Sequence, residues 1–600
     1  MYNCFINFAV LSLACKFFAK NIHIFVTVKE ILKKYWGYES FRPKQQEIIE
    51  AALAGKDVLG ILPTGGGKSL CFQIPALMKD GIAIVVTPLI SLMKDQVQNL
   101  ASKGIRALAV HSGMTFHEID AALDNARFGG YRFLYLSPER LGTEIFVSRL
   151  KNMEVTYIVV DEAHCISQWG YDFRPDYLSI ASVREYVPSA SVIALTATAT
   201  RKVADDIMEK LAFREPLVYS SGFERPNLSY SVVRKENKAG ALLSLCTMDE
   251  GSGIVYVRER KAARETASFL VSQGVSADFY HAGISKQERD ARQDAWKRGD
   301  VRIMVATNAF GMGIDKPDVR FVCHLDVPES IESYYQEAGR AGRDGLPAAA
   351  VMLWNDSDVK RLEAVYRTSF PPLDYVRDIY QKVFIYLGLA YEEGMGQTRC
   401  FDIVDFSRHF RLNAAMAYSA VKYIGTAGYW SVTDEIDNPT RIMFSVDRDA
   451  LYNIQLSDKR MDTFLKALMR TWPGLFSHLV SIDEEYLARL TLDSVHGVKS
   501  KLLYLSRNRI LVYVPRKRSP LIHFSNERLT PGNLCLSEAD YQKRKLAYRE
   551  RMDAVLEYVR AGENGACGCR SIMLSEYFGQ DGVRPCGICD LCRSDASICT

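Results

Sequence analysis

Val58-Leu59-Gly60-Ile61-Leu62-Pro63-Thr64-Gly65-Gly66-Gly67-Lys68-Ser69 sets an apolar run directly before three glycines, a lysine and a serine. Val58 to Leu62 carries no charge and reads as a buried strand. The glycines let successive backbone N–H groups turn inward and cradle phosphate oxygens. In that reading Thr64, Gly65, Gly66 and Gly67 form the cradle. Lys68 reaches the β- and γ-phosphates of ATP, and the Ser69 hydroxyl is a ligand for Mg2+. Leu62 stands where the strict phosphate-loop spelling has glycine, so the strand and the GGGKS core carry the reading. An ordinary structural turn is the competing explanation.

Outward from this loop, apolar runs alternate with helical patterns. Ala83 to Thr87, Phe133 to Ser137, Tyr157 to Val160 and Val192 to Leu195 read as further buried strands. The pattern predicts a doubly wound parallel α/β layer over 28–222. It pauses at Gly222 and Pro226, and a second α/β set follows over 223–356, with strands near 253–257, 277–280, 302–306, 321–324 and 350–353. Two such lobes make a cleft.

Two further segments address the same chemistry. Asp161-Glu162-Ala163-His164 follows the run Tyr157 to Val160. An acid at a strand end beside a phosphate loop supplies a second Mg2+ contact, here Asp161. Glu162 is placed to orient and deprotonate the attacking water. In the second lobe Arg340 and Arg343 lie three apart, on one helix face. A guanidinium aimed into the cleft stabilises charge developing on the γ-phosphate, so both are assigned as arginine fingers. A solvated acidic turn and surface ion pairing are the bland alternatives.

Past about Asp356 the texture becomes helical. Two stretches share one plan, helix–turn–helix followed by a β-ribbon, which is the winged-helix arrangement. The first spans Asp405 to Val446, with Asn438-Pro439 at its ribbon turn. The second spans Glu484 to Phe524, with Arg516, Lys517 and Arg518 at its wing tip. Three adjacent cations suit phosphate contact; a solvated charge run is the alternative. The expected regions are 357–455, 456–535 and a last helical module, 536–600.

That last module carries Cys569, Cys586, Cys589 and Cys592, with sixteen residues between the first two. Four thiolates in this arrangement close a tetrahedral Zn2+ site, structural because no water-activating residue accompanies them. Cys567 is the decoy ligand. One such cluster among 14 cysteines in a chain of 600 residues fits a cytosolic metal site better than a secreted disulfide framework. The net charge of +4, from 75 basic and 71 acidic residues, does not announce a nucleic-acid binder, so any basic track is local. Residues 1–27 begin apolar but lack a basic start and a good processing site, and read as an inessential extension. No membrane span is expected.

Phe41-Arg42-Pro43-Lys44-Gln45, PTGGGKS, TPLISLMKDQ from Thr87, DEAHCISQWG from Asp161, TATAT from Thr196, YHAG from Tyr280, ATNAFGMGIDKPDVR from Ala306 and SYYQEAGRAGRDG from Ser333 together resemble the RecQ helicases of superfamily 2, over about residues 28 to 356. The resemblance implies two RecA-like domains, ATP hydrolysis, and 3′→5′ translocation on single-stranded DNA with unwinding of duplex DNA in repair and recombination. It implies that Tyr38 stacks on adenine, Gln45 bonds its edge and Arg42 assists. It places Trp169, Phe173 and Arg174 in an aromatic-rich loop that couples single-stranded DNA to hydrolysis, where base stacking is physically reasonable. Tyr171 stands where many relatives have His. Thr87, Ser91, Thr307 and Asn308 fall where relatives touch the nucleic-acid backbone.

The segment Cys569 to Cys592 resembles the family's zinc module, but about 180 residues precede it that relatives lack there. The eight residues after Cys592 are too few for a downstream winged helix, so the wing function is expected upstream of zinc. Single-strand-binding protein and other repair proteins are candidate partners. A cytoplasmic location, nucleoid-associated in a bacterium, is expected. Two rivals are an RNA helicase or remodeller, since DEAH also occurs there, and a DNA-binding regulator with a vestigial motor. QWG after DEAH and the cysteine spacing disfavour the first; the complete set of Lys68, Asp161, Glu162 and Arg343 disfavours the second.

Overall fold

The computed structural model describes residues 27–593 except 112, 113, 115, 168, 169, 171, 172, 312–315, 439, 447–450, 452–458, 473, 477–479, 516 and 564–567. The chain forms two compact units. One runs to Ala364 and resumes at Gln542; the other is Val365–Tyr541. No described helix is long and apolar enough to cross a membrane.

The first unit holds two parallel sheets. Strands β1 (Val58–Ile61), β2 (Ile82–Val86), β3 (Ala107–Val110), β4 (Phe133–Leu136), β5 (Val155–Asp161), β6 (Ser191–Thr196) and β7 (Leu217–Ser220) lie in the order β3-β4-β2-β5-β6-β1-β7. The second sheet has β8 (Leu228–Arg234), β9 (Ser252–Tyr256), β10 (Ala277–Tyr280), β11 (Ile303–Ala306), β12 (Val319–His324) and β13 (Ala348–Trp354), in the order β10-β11-β9-β12-β13-β8. The central strands β1, β2, β4, β6 and β11 are buried along their whole length. That is why they read as unbroken apolar runs and not as alternation. The edge strands β3, β7 and β8 are partly exposed, and the sequence pattern did not mark them.

Packing around β1 is tight enough to dictate a residue. A Cβ on Gly60 would lie 2.7 Å from Leu195 Cδ2 and 2.9 Å from Ile48 Cδ1. Just upstream, buried Asp57 pairs with Arg184 at 2.7 Å and accepts a hydrogen bond from Val192 N at 2.8 Å. This buried pair fixes where β1 starts beside β6, and breaking it by removing one partner costs several kcal/mol, about 3–5.

The second unit contains two cores. Val376, Tyr380, Phe384, Phe406, Val421, Trp430, Ile522 and Phe524 belong to one; Ile442, Phe444, Phe464, Leu468, Leu487, Leu502 and Leu511 belong to the other. The strands follow the cores. The first sheet orders β14 (Thr398–Cys400), β19 (Lys517–Phe524) and β15 (Trp430–Asn438), and the second orders β17 (Val480–Ile482), β16 (Thr440–Phe444) and β18 (Leu511–Val514). This corrects the expected ribbons. β15 pairs with β19, from Trp430↔Phe524 to Asn438↔Lys517, and β16 pairs with β18. The segment 440–514 is therefore inserted between two paired strands, and the two modules are nested and not consecutive. The physical reason is core membership: Trp430 and Phe524 complete one apolar cluster, and Phe444 and Leu511 complete the other. Lys517 and Arg518 lie where the chain returns from the inserted module, not at the tip of a tight hairpin. Arg516 and the side chains of Lys517 and Arg518 lie outside the described residues.

Candidate functional site

Between β1 and the helix Leu70–Met78, Gly65 and Gly67 adopt φ of +74° and +75°. This left-handed backbone is open to glycine at little cost, and it curls the loop. Gly66 N donates to Pro63 O at 2.9 Å, and Leu70 N and Cys71 N donate to Gly67 O and Lys68 O at 3.1 and 3.0 Å. The loop is also held from below. Gln45 is buried, donates from Nε2 to Gly66 O and Gly67 O at 3.0 Å each, and accepts from Arg42 N at 2.9 Å. The Arg42 guanidinium donates to Gly65 O. Sequence reasoning saw Gln45 as an adenine reader; in this conformation its amide is spent on the phosphate loop. Tyr38 is 56% exposed, with its ring available to stack.

Asp161 ends β5, and Glu162 follows with φ 49° and ψ 49°. A left-handed glutamate is strained, and here the strain turns its carboxylate to the loop. Lys68 Nζ lies 3.6 Å from Glu162 Oε1, with both side chains largely buried. Burial, reinforced by the neighbouring Glu162 charge, raises the Asp161 pKa. Burial opposes ionisation of Glu162 too, but Lys68, His164 and Arg340 outweigh it and hold its pKa below the usual value. Two adjacent acids, one disfavoured as an anion, form a site whose charge a cation would complete. Ser69 and Asp161 are hard oxygen donors of the kind Mg2+ takes. The Ser69 hydroxyl is oriented by Gln96 Nε2 at 3.2 Å, and Gln96 accepts from Gln73 Nε2 at 3.0 Å.

The second lobe meets this loop directly. Thr64 Oγ1 donates to Gly339 O at 3.0 Å. Arg343 crosses Gly65: a Cβ there would lie 3.0 Å from its Cγ and 3.4 Å from its Nε. Arg340 is buried and acts electrostatically on Glu162. A polar chain also crosses the cleft. His164 Nδ1 lies 3.4 Å from Glu162 Oε2 and 3.0 Å from Thr196 Oγ1. Thr196 Oγ1 accepts from Thr198 N at 3.2 Å, and Gln336 Nε2 donates to Thr198 Oγ1 at 3.0 Å.

Sequence reasoning missed Arg225. It lies in the segment joining the sheets and donates to Thr64 O at 3.4 Å, Gly339 O at 3.2 Å, Ala341 O at 2.9 Å and Gly342 O at 3.2 Å. One guanidinium thus ties the phosphate loop to the arginine loop. No local motif surrounds it, so nothing in the sequence flagged it.

The expected DNA contacts divide. Trp169 and Tyr171 lie outside the described residues. Phe173 and Arg174 are half-buried; Arg174 N donates to Cys165 O at 2.8 Å and its guanidinium to Pro88 O at 3.2 Å. Tyr177 OH donates to Asp161 O at 3.2 Å. Thr87 and Thr307 are only 1% and 6% exposed, so in this conformation their side chains are closed to a nucleic-acid backbone. Asn308 is exposed. Ser91 sits in the helix Ile90–Ser102, its side chain outside the described residues.

At the far end of the chain, the ligand atoms of Cys569, Cys586, Cys589 and Cys592 lie within 4.8 Å of one another. Cys586 N donates to Cys569 Sγ at 3.2 Å, and Arg570 N and Cys592 N donate to Cys589 Sγ at 3.4 Å each. Such donors stabilise thiolates, and four converging sulfurs suit a tetrahedral Zn2+. Cys567 lies outside the described residues.

Comparisons with known proteins agree with this geometry. Residues 42–207 match the DEAD/DEAH box helicase model, 236–345 the helicase conserved C-terminal domain, and 442–515 the RecQ helicase winged-helix domain of Bacteroidota. The last match falls on the inserted module. The chain is 45% identical over 340 residues to the ATP-dependent DNA helicase RecQ of Pasteurella multocida, covering 56% of this chain and 54% of that protein. It is 40% identical over 357 residues to the probable ATP-dependent DNA helicase RecS of Bacillus subtilis, covering 59% of this chain and 72% of that one. The matched region spans about half the length of the RecQ proteins of Pasteurella multocida and Haemophilus influenzae. With these matches spanning both sheets and the inserted module, the chain belongs to the RecQ family of DEAD/DEAH-box helicases.

Proposed function

We propose that this chain is an ATP-dependent DNA helicase that moves 3′→5′ along single-stranded DNA and unwinds duplex in repair and recombination. One observation carries the reading: Lys68 and Glu162 of the first lobe and Arg340 and Arg343 of the second converge on one phosphate loop. Lys68 holds the β- and γ-phosphates of ATP. The Glu162 carboxylate, kept ionised by surrounding cations, orients the attacking water and accepts its proton. Arg343, with Arg340, neutralises charge on the transferring phosphoryl group. Ser69 and Asp161 would hold Mg2+, which supplies charge neutralisation across the phosphates. Tyr38 stacks on adenine, while Arg42 and Gln45 hold the phosphate loop beside it. Cys569, Cys586, Cys589 and Cys592 would hold a structural Zn2+.

Coupling to DNA follows from how the aromatic segment is tied. It leaves the DEAH residues at His164 and is pinned back by Arg174 N on Cys165 O and by Tyr177 OH on Asp161 O. Bases stacking on Trp169 and Phe173 would pull on the acids that hydrolyse ATP. The deciding experiment compares ATP turnover with single-stranded DNA, with RNA and with neither, and strand displacement on 3′- and 5′-tailed duplexes. DNA should stimulate turnover far more than RNA, with 3′-tailed substrates unwound. Absence of DNA-stimulated turnover would refute the motor; unwinding confined to 5′ tails would reverse the polarity.

Duplex is assigned to the nested winged-helix modules, through Arg516, Lys517 and Arg518. Replacing all three with Ala should weaken duplex binding and flatten the slope of log affinity against log salt by up to about three. Unchanged duplex affinity across a salt series would count against this assignment.

A further inference from the structure

The cysteine module lies far from both sheets in sequence but reaches the joint between them in space. The helix Arg570–Tyr577 is stopped at Gly579, φ +82°, with Gly579 N and Gln580 N donating to Glu576 O and Ser575 O at 2.9 Å each. This left-handed cap sends Gln580 off the helix end and onto the hinge. Gln580 Oε1 accepts from Phe223 N at 2.7 Å, and its Nε2 faces Glu224 Oε2 at 3.5 Å. Phe578 stacks on Phe223, ring centroids 4.5 Å apart, and meets Tyr335 edge-on at 5.2 Å. Tyr335, on the helix that leads to Arg340, donates from its hydroxyl to Phe223 O at 2.9 Å. The hinge residue Phe223 is thus bound at N–H, carbonyl and ring. Two residues on, Arg225 straps the phosphate loop to the arginine loop. The module cannot swing free of this lobe, because Val232 N of β8 donates to Asp590 Oδ2 at 2.9 Å and Ser229 Oγ to Ile588 O at 2.7 Å.

We propose that Gln580 and Phe578 are positioning residues for ATP turnover: they hold the hinge at Phe223 in the conformation that brings the arginine loop onto the phosphate loop. The idea rests on the proposed ATPase function. The brace biases an open–closed equilibrium, so weakening it lowers the closed fraction, and saturating ATP recovers closure. A brace acting this way changes KM more than kcat, unlike a group that touches the phosphates.

The test uses the full chain with zinc bound. Gln580→Ala should raise KM for ATP about three- to tenfold, the worth of one hydrogen bond to a buried amide, and change kcat by less than about twofold. Fluorescent pairs at exposed Ser102 and Ser272, one on each lobe, should show fewer closed molecules at a given concentration of a non-hydrolysable ATP analogue. Gln580→Glu keeps the acceptor for Phe223 N but faces Glu224. Adding Glu224→Gln removes that repulsion and should restore KM and closure beyond the single variant. Unchanged KM and closure in Gln580→Ala would overturn the proposal, as would a double variant no better than Gln580→Glu alone. A native chain without ATP turnover refutes the motor reading, while the analogue-driven closure still tests the brace.

Discussion

Arg343→Ala is expected to lower kcat for DNA-stimulated ATP hydrolysis by roughly 10^3- to 10^5-fold, the range over which an arginine finger acts. The stem of Arg343 lies across Gly65, 3.0 Å from where a Cβ would stand, so its guanidinium belongs to the second lobe yet sits at the first lobe's phosphate cradle. In the proposed site, ground-state phosphates would already be served by Lys68 and by the loop's N–H groups. The finger's added contribution falls where charge grows during transfer, so KM should move little. Arg343→Lys should recover only a small part, because an ammonium cannot present the planar fork of donors. Steady-state turnover at saturating DNA checks both, with thermal melts to confirm folding. A loss below about tenfold would mean that Arg343 packs on the loop without acting on the phosphoryl group, and Arg340, buried beside Glu162, would become the acting residue.

What could be read from the residues and what could not follows from range. The phosphate loop and Asp161-Glu162 were legible because each motif sits within a few residues of a strand whose burial is written in its own apolar run. Arg340 and Arg343 were legible as a pair, but not on the expected helix face: the helix ends at Ala338, and both lie in the turn that follows. Gln45 was read as a partner of adenine, and its engagement with the backbone of Gly66 and Gly67, 21 and 22 residues away, left no signal. Gln580 and Phe223, 357 residues apart, left no local trace at all. The nested modules failed for a related reason. Neighbouring antiparallel strands usually pair, so β15 with β16 and β18 with β19 looked natural. Which core each strand completes is decided by side chains almost a hundred residues apart, such as Trp430 and Phe524.

The other large effect concerns the thiol cluster. Cys569→Ser or Cys589→Ser is expected to abolish stoichiometric zinc and unfold the module locally, because a structural site of this type contributes about 10–16 kcal/mol of apparent binding energy that is also folding energy. Both residues are buried, with Cys569 3% and Cys589 0% exposed, so serine neither replaces the soft ligand nor finds water. The rest of the module is tied to the same cysteine loop. Arg570 spans its interior, pairing with Asp590 at 3.0 Å and donating to Ala561 O at 2.8 Å, and that pair depends on the same loop that carries Cys589 and Cys592. Loss of the fold would strip Asp590 from Val232 N and Gln580 from Phe223 N, exposing an edge strand and freeing the hinge. ATP turnover should therefore fall together with zinc content, and protease should gain access to the helix Glu538–Arg560. Cys567→Ser is the discriminating comparison. Four converging sulfurs already complete a tetrahedron without it, so it should retain about one zinc per chain. Metal analysis and limited proteolysis of the three variants decide the ligand set: zinc lost from Cys567→Ser but kept by Cys569→Ser would exchange those two residues and disprove the site as assigned.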